Sequence, residues 1–138
     1  MKNINLYSLV AVIFLTFALS SCASKMAFQN SSVVPAAEGS VKVKQDKNNN
    51  YTIDLDVMRL AHPDRLSPPK QYYVVWMNSD GNAAKNIGQI VSTSNFLSNS
   101  LKSSLNAIST SKPSSFFITA EENADVQYPA GEVVLRTN

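Results

Sequence analysis

Residues 71–90 constrain the fold more strongly than any other stretch, because they combine a strand-forming run with a tight turn. The run at residues 72–76 (YYVVW) is unbroken in aromatic and β-branched residues, which is typical of a strand buried on one face and partly covered on the other. Asp80-Gly81 then favours a turn, since glycine adopts positive φ without a Cβ clash. We therefore predict a β-hairpin here, with Trp76, the only tryptophan of the chain, in a small core.

Two earlier segments alternate apolar and polar residues, which is the pattern of a strand with one face in water. They are residues 40–45 and residues 51–57, and the turn-forming sequence DKNNN at residues 46–50 separates them. The pair predicts a second hairpin. Residues 61–70 carry three prolines and cannot form a central strand, so we expect this connection to cross from one sheet to the other.

Three further strands are predicted at residues 96–105, 115–121 and 131–137. The first is weak, and the helical spacing of Leu101, Leu105 and Ile108 leaves a short helix as the alternative, although the serines there disfavour a helix. Seven short strands without the spacing of βαβ units predict an all-β fold. The expected architecture is an antiparallel immunoglobulin-like β-sandwich over residues 39–138.

The first 21 residues have the features of an export signal, because Lys2 supplies a positive start and residues 6–19 supply an apolar run. This run is too short to span a bilayer comfortably, which needs about 20 residues. It ends in a motif that resembles the lipobox of bacterial lipoproteins: Leu19, Ser20, Ser21 and Cys22. The resemblance implies cleavage before Cys22 and acylation of its thiol. The alternatives are a signal without lipidation and an uncleaved anchor.

Cys22 is the only cysteine of the chain, which excludes an intrachain disulfide. Two or three acyl chains hold a protein on a membrane far more firmly than one does, so we expect attachment through acyl chains on Cys22. In Gram-negative lipoproteins, an aspartate directly after the cysteine resembles a signal for retention in the inner membrane. This chain has Ala23 at that position, so we expect it in the outer membrane, facing the periplasm. Residues 22–38 are expected to be this lipidated cysteine and a flexible tether that reaches roughly 20–25 Å.

Charge argues against nucleic-acid binding. Without Lys2, 11 of the 12 basic residues remain against 10 acidic ones, which is too balanced for a phosphate-binding footprint.

Lys42 and Lys44 are expected opposite Asp54 and Asp56 in the hairpin at residues 40–57. Cross-strand ion pairs therefore explain these carboxylates better than a hydrolytic site does.

Catalytic and metal sites are not indicated. His62 is the only histidine, and the sequence contains no Gly-x-Ser-x-Gly nucleophile motif. One histidine and one lipidated cysteine are too few nitrogen and sulfur ligands for zinc. The Asp-x-Asn-x-Asn pattern at residues 46–50 matches half of a calcium loop, but Tyr51 and Val57 stand where glycine and glutamate are needed. We expect no enzyme activity, no metal and no cofactor.

Two patterns in the second half of the chain occur together. The first is the YYVVW run followed by Asp80-Gly81 and Ile87-Gly88, and the second is Thr-x-Glu at residues 119–121 followed by Pro-x-Gly at residues 129–131. Over this half the chain resembles the extracytoplasmic β-domain of anti-sigma-K-type factors, although EENADV at residues 121–126 replaces that family's glycine-rich loop. The resemblance implies a non-catalytic, sensor-type sandwich, used here on a lipid anchor without the family's sigma-binding helices.

The aromatic cluster leaves two functions open. Tyr72 and Trp76 share one face of their strand and Tyr73 lies on the other, so one set fills the core while the other is a candidate binding face. We predict a lipid-anchored envelope protein that acts by contact with another envelope protein, in a role related to envelope sensing. The alternative is a carbohydrate- or peptidoglycan-binding module that stacks a glycan on the exposed rings.

Overall fold

The computed structural model describes residues 23–90 and 102–138. These two ranges contain eight β-strands and one short 3-10 turn, Pro63–Arg65, between the third and fourth strands. In chain order the strands are β1 (Ala23–Ala27), β2 (Glu38–Gln45), β3 (Tyr51–Met58), β4 (Tyr72–Ser79), β5 (Lys85–Ile90), β6 (Lys102–Ser109), β7 (Pro113–Glu121) and β8 (Glu132–Arg136).

The strands form two antiparallel sheets of four strands each, which confirms the all-β prediction. The first sheet has the order β1-β2-β3-β6 and the second has the order β5-β4-β7-β8. Buried side chains of both sheets join in one apolar cluster, as in a β-sandwich. Strand β3 shows the principle: Ile53, Leu55 and Val57 are buried, whereas Asp54 between them is exposed, as the alternation predicts.

The predicted hairpin at residues 71–90 is confirmed and lies at the centre of the second sheet. Strand β4 pairs with β5 on one side and with β7 on the other, so its backbone has partners along both edges. Gly81 has φ of 74°, the left-handed conformation that the turn requires and that glycine adopts without strain. The connection at residues 59–71 carries the chain from the first sheet to the second, which confirms the crossing predicted for the proline-rich segment.

Residues 23–38 belong to the fold, so the prediction of a flexible tether is wrong. Strand β1 pairs with β2 along its whole length, from Ala23 opposite Lys44 to Ala27 opposite Ser40. Periodicity did not reveal this strand because its pairing uses backbone groups, and Met26 is its only large apolar side chain. Residues 23–90 and 102–138 therefore contain eight strands, where seven were predicted.

The segment after β1 closes the outer edge of the second sheet. Phe28 forms an isolated antiparallel bridge with Thr137. The hydroxyl of Ser31 donates a hydrogen bond to the carbonyl of Val134 at 2.6 Å and accepts one from the backbone N–H of Val34 at 2.9 Å. These bonds occupy backbone groups of β8 that an edge strand would otherwise offer to another chain.

Strand β6 replaces the weaker strand predicted at residues 96–105, of which residues 96–101 lie outside the described ranges. From Lys102 to Ser109 the chain is a strand paired with β3, so the short-helix alternative is wrong there. Leu105 packs against the apolar cluster, whereas the side chain of Ile108 is 74% exposed. Pairing with β3 outweighs the helical spacing of these two residues, since strand preference depends on neighbouring strands.

Tyr73 ties β4 to the crossing connection. Its ring is in the core, and its hydroxyl donates a hydrogen bond to the carbonyl oxygen of Ala61 at 2.9 Å. Burial, with a smaller contribution from the negative charge of Asp64, raises the pKa of Tyr73 from 10.0 to about 12. The buried phenol is thus held in its neutral, donating form.

We predict that Tyr73→Phe lowers the free energy of unfolding by about 1 kcal/mol at neutral pH, because the Ala61 carbonyl loses its donor. In the wild type, the contribution of Tyr73 to the free energy of unfolding is complete below its ordinary pKa of 10.0. This contribution is lost as pH rises through the folded-state pKa of about 12. The variant should therefore lose less stability than the wild type between neutral and strongly alkaline pH. Urea unfolding at both pH values measures this, and equal alkaline losses would contradict it.

Candidate functional site

One end of the sandwich gathers the start of β1 and two turns. Ala23 lies there opposite Lys44, and the turn at residues 46–50 joins β2 to β3 at the same end. The turn at residues 110–112, between β6 and β7, lies beside them. A shallow cleft of about 150 Å³ is lined there by residues of β1, β2, β3, β7 and the turn before β7: Ser24, Val43, Gln45, Tyr51, Lys112 and Pro113. We call this part of the molecule the basic end.

The lysines of the basic end have no carboxylate partner within ion-pair distance among residues 23–90 and 102–138. Lys44, Lys47 and Lys112 lie at the end itself, and Lys25 and Lys42 follow on the adjoining outer face of the first sheet. Lys42 is opposite Asp54 in register, yet the two charged groups do not form an ion pair. The predicted ion pairs between these β2 lysines and the β3 aspartates are therefore wrong.

The opposite end, formed by the finish of β3 and β7 and the start of β4 and β6, contains three ion pairs between lysine or arginine and a carboxylate among the described residues. Lys70 contacts Glu122 at 2.9 Å, Lys102 contacts Asp56 at 3.5 Å, and the guanidinium of Arg59 contacts Glu38. His62, which gave no catalytic signal in the sequence, lies 2.8 Å from the carboxylate of Asp64 and is exposed. The two ends thus differ in how far their cations are neutralised.

Asp46 organises the turn at the basic end. Its Oδ1 accepts hydrogen bonds from the backbone N–H groups of Asn48 at 2.8 Å and Asn50 at 2.9 Å. The bond from Asn50 is the main reason that the pKa of this carboxyl is lowered below its usual 3.8. The half calcium-loop pattern is thus used as a turn. Within the described ranges, no three His, Cys, Asp or Glu side chains are grouped so as to hold a metal ion.

The aromatic cluster does not form the predicted binding face. Tyr73 and Trp76 are 1% and 0% exposed, and only Tyr72, at 37%, reaches the surface. Tyr73 points into the core between the sheets, whereas Trp76 lies on the other face of β4 and stacks on Phe117, with ring centroids 6.1 Å apart. A glycan cannot stack on rings that have no exposed surface.

Trp76 is held by a buried polar network that sequence reasoning missed. Its indole N–H donates to the hydroxyl of Thr119 at 2.8 Å, and that hydroxyl donates to Oε1 of Glu121 at 2.6 Å. The same Oε1 accepts the backbone N–H groups of Ala130 and Gly131 at 3.1 and 3.0 Å. Glu121 is 3% exposed, so these bonds compensate the cost of burying its polar oxygens.

The network fixes the connection at residues 122–131 against the second sheet. A Cβ atom on Gly131 would lie 1.8 Å from the carbonyl oxygen of Ala120, so only glycine fits this approach. The side-chain amide of Asn86 in β5 donates to the carbonyls of Ala124 and Val126, both at 3.0 Å. The sequence did contain one indication of this network. Thr119 and Glu121 are two residues apart, so they share one face of β7, the strand that pairs with the tryptophan-containing strand β4.

The export signal and the lipobox residues Leu19, Ser20, Ser21 and Cys22 lie outside the described residues, immediately before β1. No helix in residues 23–90 or 102–138 has the length and apolar character needed to cross a bilayer. Comparison with protein-family models, with curated proteins and with solved structures found no match.

We predict that Thr119→Val lowers the free energy of unfolding by about 1–3 kcal/mol. Valine has nearly the same shape as threonine, but the Trp76 N–H loses its acceptor and the Glu121 carboxylate loses a donor. The matched control is Thr52→Val in β3, because the Thr52 hydroxyl makes no hydrogen bond within the described residues and should change stability by less than about 0.5 kcal/mol. Equal effects of the two substitutions in urea unfolding would contradict a structural network at Thr119.

Proposed function

We propose that this chain is a lipid-anchored lipoprotein of the bacterial envelope whose non-catalytic β-sandwich acts by protein–protein contact. The observation that carries the proposal is the position of the only cysteine, directly after Leu19-Ser20-Ser21 and directly before the first strand. A diacylated or triacylated Cys22 would hold the sandwich firmly at a membrane surface. The alanine at position 23 favours the outer membrane, with the sandwich in the periplasm.

The surface best suited to a partner lies at the opposite end of the sandwich. Tyr128 is 76% exposed and Tyr72 is 37% exposed. Tyr72 pairs with Glu121, and Glu121 accepts a hydrogen bond from the backbone of Ala130, two residues after Tyr128. Exposed tyrosines supply large contact area at little conformational cost, which makes them frequent anchors of protein interfaces.

An immunoglobulin-like topology and a relation to the extracytoplasmic domain of anti-sigma-K-type factors are part of the proposal. The relation to that family is supported by the spatial arrangement of the residues that carry the resemblance. Trp76 is 43 residues from Thr119 in sequence, yet the two belong to one hydrogen-bonded network with Glu121 and Gly131. A glycan-binding function is not proposed, because Tyr73 and Trp76 are buried.

The anchor is tested by Cys22→Ser in the full-length chain. The thiol is the acyl acceptor, so the variant should lose acylation and be released from, or misplaced within, the envelope. Cell fractionation and mass spectrometry of the amino-terminal peptide measure both effects. An unchanged membrane fraction together with an unchanged peptide mass would exclude lipidation at Cys22.

The partner surface is tested by Tyr128→Ala. If Tyr128 anchors the contact, we expect a loss of about 2 kcal/mol in binding, which is a decrease of roughly thirtyfold in affinity. In-cell crosslinking with mass spectrometry should then capture the partner with the wild type but much less with the variant. The matched control is Asn106→Ala, which removes an exposed side chain from β6 on the outer face of the first sheet. Unchanged capture by Tyr128→Ala, or an equal loss with Asn106→Ala, would contradict this surface.

A further inference from the structure

The basic end is the part of the sandwich that follows the proposed anchor without an intervening linker. Cys22 and Ala23 are neighbours in sequence, and Ala23 is already paired with Lys44 in the first sheet. A flexible coil of about 16 residues would have allowed the domain to reach roughly 20–25 Å from the bilayer. Adjacent Cα atoms are only about 3.8 Å apart. An anchor at Cys22 therefore keeps the basic end within reach of the lipid headgroups.

The charge of this end suits an anionic surface. Lys44, Lys47 and Lys112 are exposed and form no ion pair within the described residues. Three acids lie near them: the carboxylate of Asp46 is bound by backbone N–H groups of its own turn, Asp80 lies in the turn that follows Ser79, and Asp54 lies opposite Lys42 on the adjoining outer face. With Lys25 and Lys42 on that face, lysines outnumber acids there, and each lysine near an anionic bilayer strengthens binding roughly fivefold.

An exposed apolar side chain accompanies these lysines. Ile108 is 74% exposed and belongs to the row of paired residues that runs across the first sheet through Thr52 and Lys44 to Ala23. Paired residues in an antiparallel sheet point to the same face, so Ile108 and Lys44 share one outer surface. Lysines beside an exposed apolar side chain are the combination that lies at membrane interfaces.

We infer that the basic end lies on the headgroups of an anionic bilayer through Lys44, Lys47, Lys112 and Ile108. The inference rests on the proposed function in one respect, because it needs an anchor immediately before Ala23. The sandwich then stands with its opposite end directed away from the membrane. Tyr72 and Tyr128 then remain accessible to a partner, and the ion pairs at the opposite end weaken its attraction to the bilayer.

The inference is tested on the full-length protein purified from cell membranes and reconstituted in two kinds of vesicle. One kind contains phosphatidylcholine alone, and the other contains phosphatidylcholine with phosphatidylglycerol. A water-soluble amine reagent modifies exposed lysines, and peptide mass spectrometry gives the rate at each position. Lys44, Lys47 and Lys112 should react about fivefold more slowly in the anionic vesicles. Lys102 at the opposite end, whose side chain is 62% exposed, is the internal control and should react equally in both.

A pair of charge variants tests the same contact independently. Lys47→Gln and Arg65→Gln each remove one positive charge, and both side chains are exposed, but they lie at opposite ends. Lys47→Gln should weaken the protection of Lys44 and Lys112 in anionic vesicles, whereas Arg65→Gln should leave it unchanged. Raising the salt concentration should reduce the protection, because salt weakens the attraction between exposed charges. At 0.1 M the screening length is about 10 Å, and it becomes shorter as the salt concentration rises.

The same mass spectra separate failure of this inference from failure of the anchor. The amino-terminal peptide shows whether Cys22 is acylated. Acylated protein with Lys44, Lys47 and Lys112 as reactive as Lys102 in anionic vesicles would overturn the inference and leave the anchor intact. Protected lysines in a protein held by an uncleaved signal segment would overturn acylation and support the inference. A protein that is absent from the membrane would overturn both.

Discussion

Backbone hydrogen bonds between β1 and β2 are the interaction on which the relation between anchor and fold depends. They begin at Ala23, so no free chain remains between the proposed lipid attachment and the folded domain. Each ladder bond contributes little by itself, but together they immobilise a segment that would otherwise be a flexible coil. The position of the sandwich relative to the membrane therefore becomes a property of the fold itself.

The second sheet supplies the stability that this arrangement needs. Strand β4 is central and fully buried from Tyr73 to Met77, with the core between the sheets on one face and the Trp76 network on the other. Thr119 and Glu121 connect that network to the connection before β8. One face of β4 thus packs in the apolar core, and the other face contacts the polar network. This network, and not a disulfide, holds the surface connection at residues 122–131 in place.

The sequence indicated the strands that alternate or concentrate apolar residues, and it missed the features that depend on contacts distant in the chain. Strand β3 was predictable because Ile53, Leu55 and Val57 repeat with period two. Strand β1 was not predictable, since its identity comes from pairing with β2. The buried position of Trp76 was also uncertain from the sequence, because alternation alone does not say that the outer face of β4 is covered as well.

The difference in ion pairing between the two ends of the sandwich also could not be predicted from the sequence. Composition gave a nearly neutral chain, and the hairpin pattern suggested that Lys42 and Lys44 would be paired with Asp54 and Asp56. In the fold, Asp56 instead contacts Lys102 from β6, and the β2 lysines keep no carboxylate partner within the described residues. Which cations are neutralised depends on tertiary pairing, so the basic end could be found only in three dimensions.

The most direct test of the account is hydrogen–deuterium exchange of the membrane-attached protein, measured on the peptide that contains residues 23–27. If β1 is docked in the first sheet, its amides that bond to β2 should exchange far more slowly than those of an unfolded chain. Exchange at the unfolded rate throughout residues 23–27, with β2 and β3 still protected, would show that β1 is a loose tether. That result would contradict both the docking of β1 and the contact of the basic end with the bilayer.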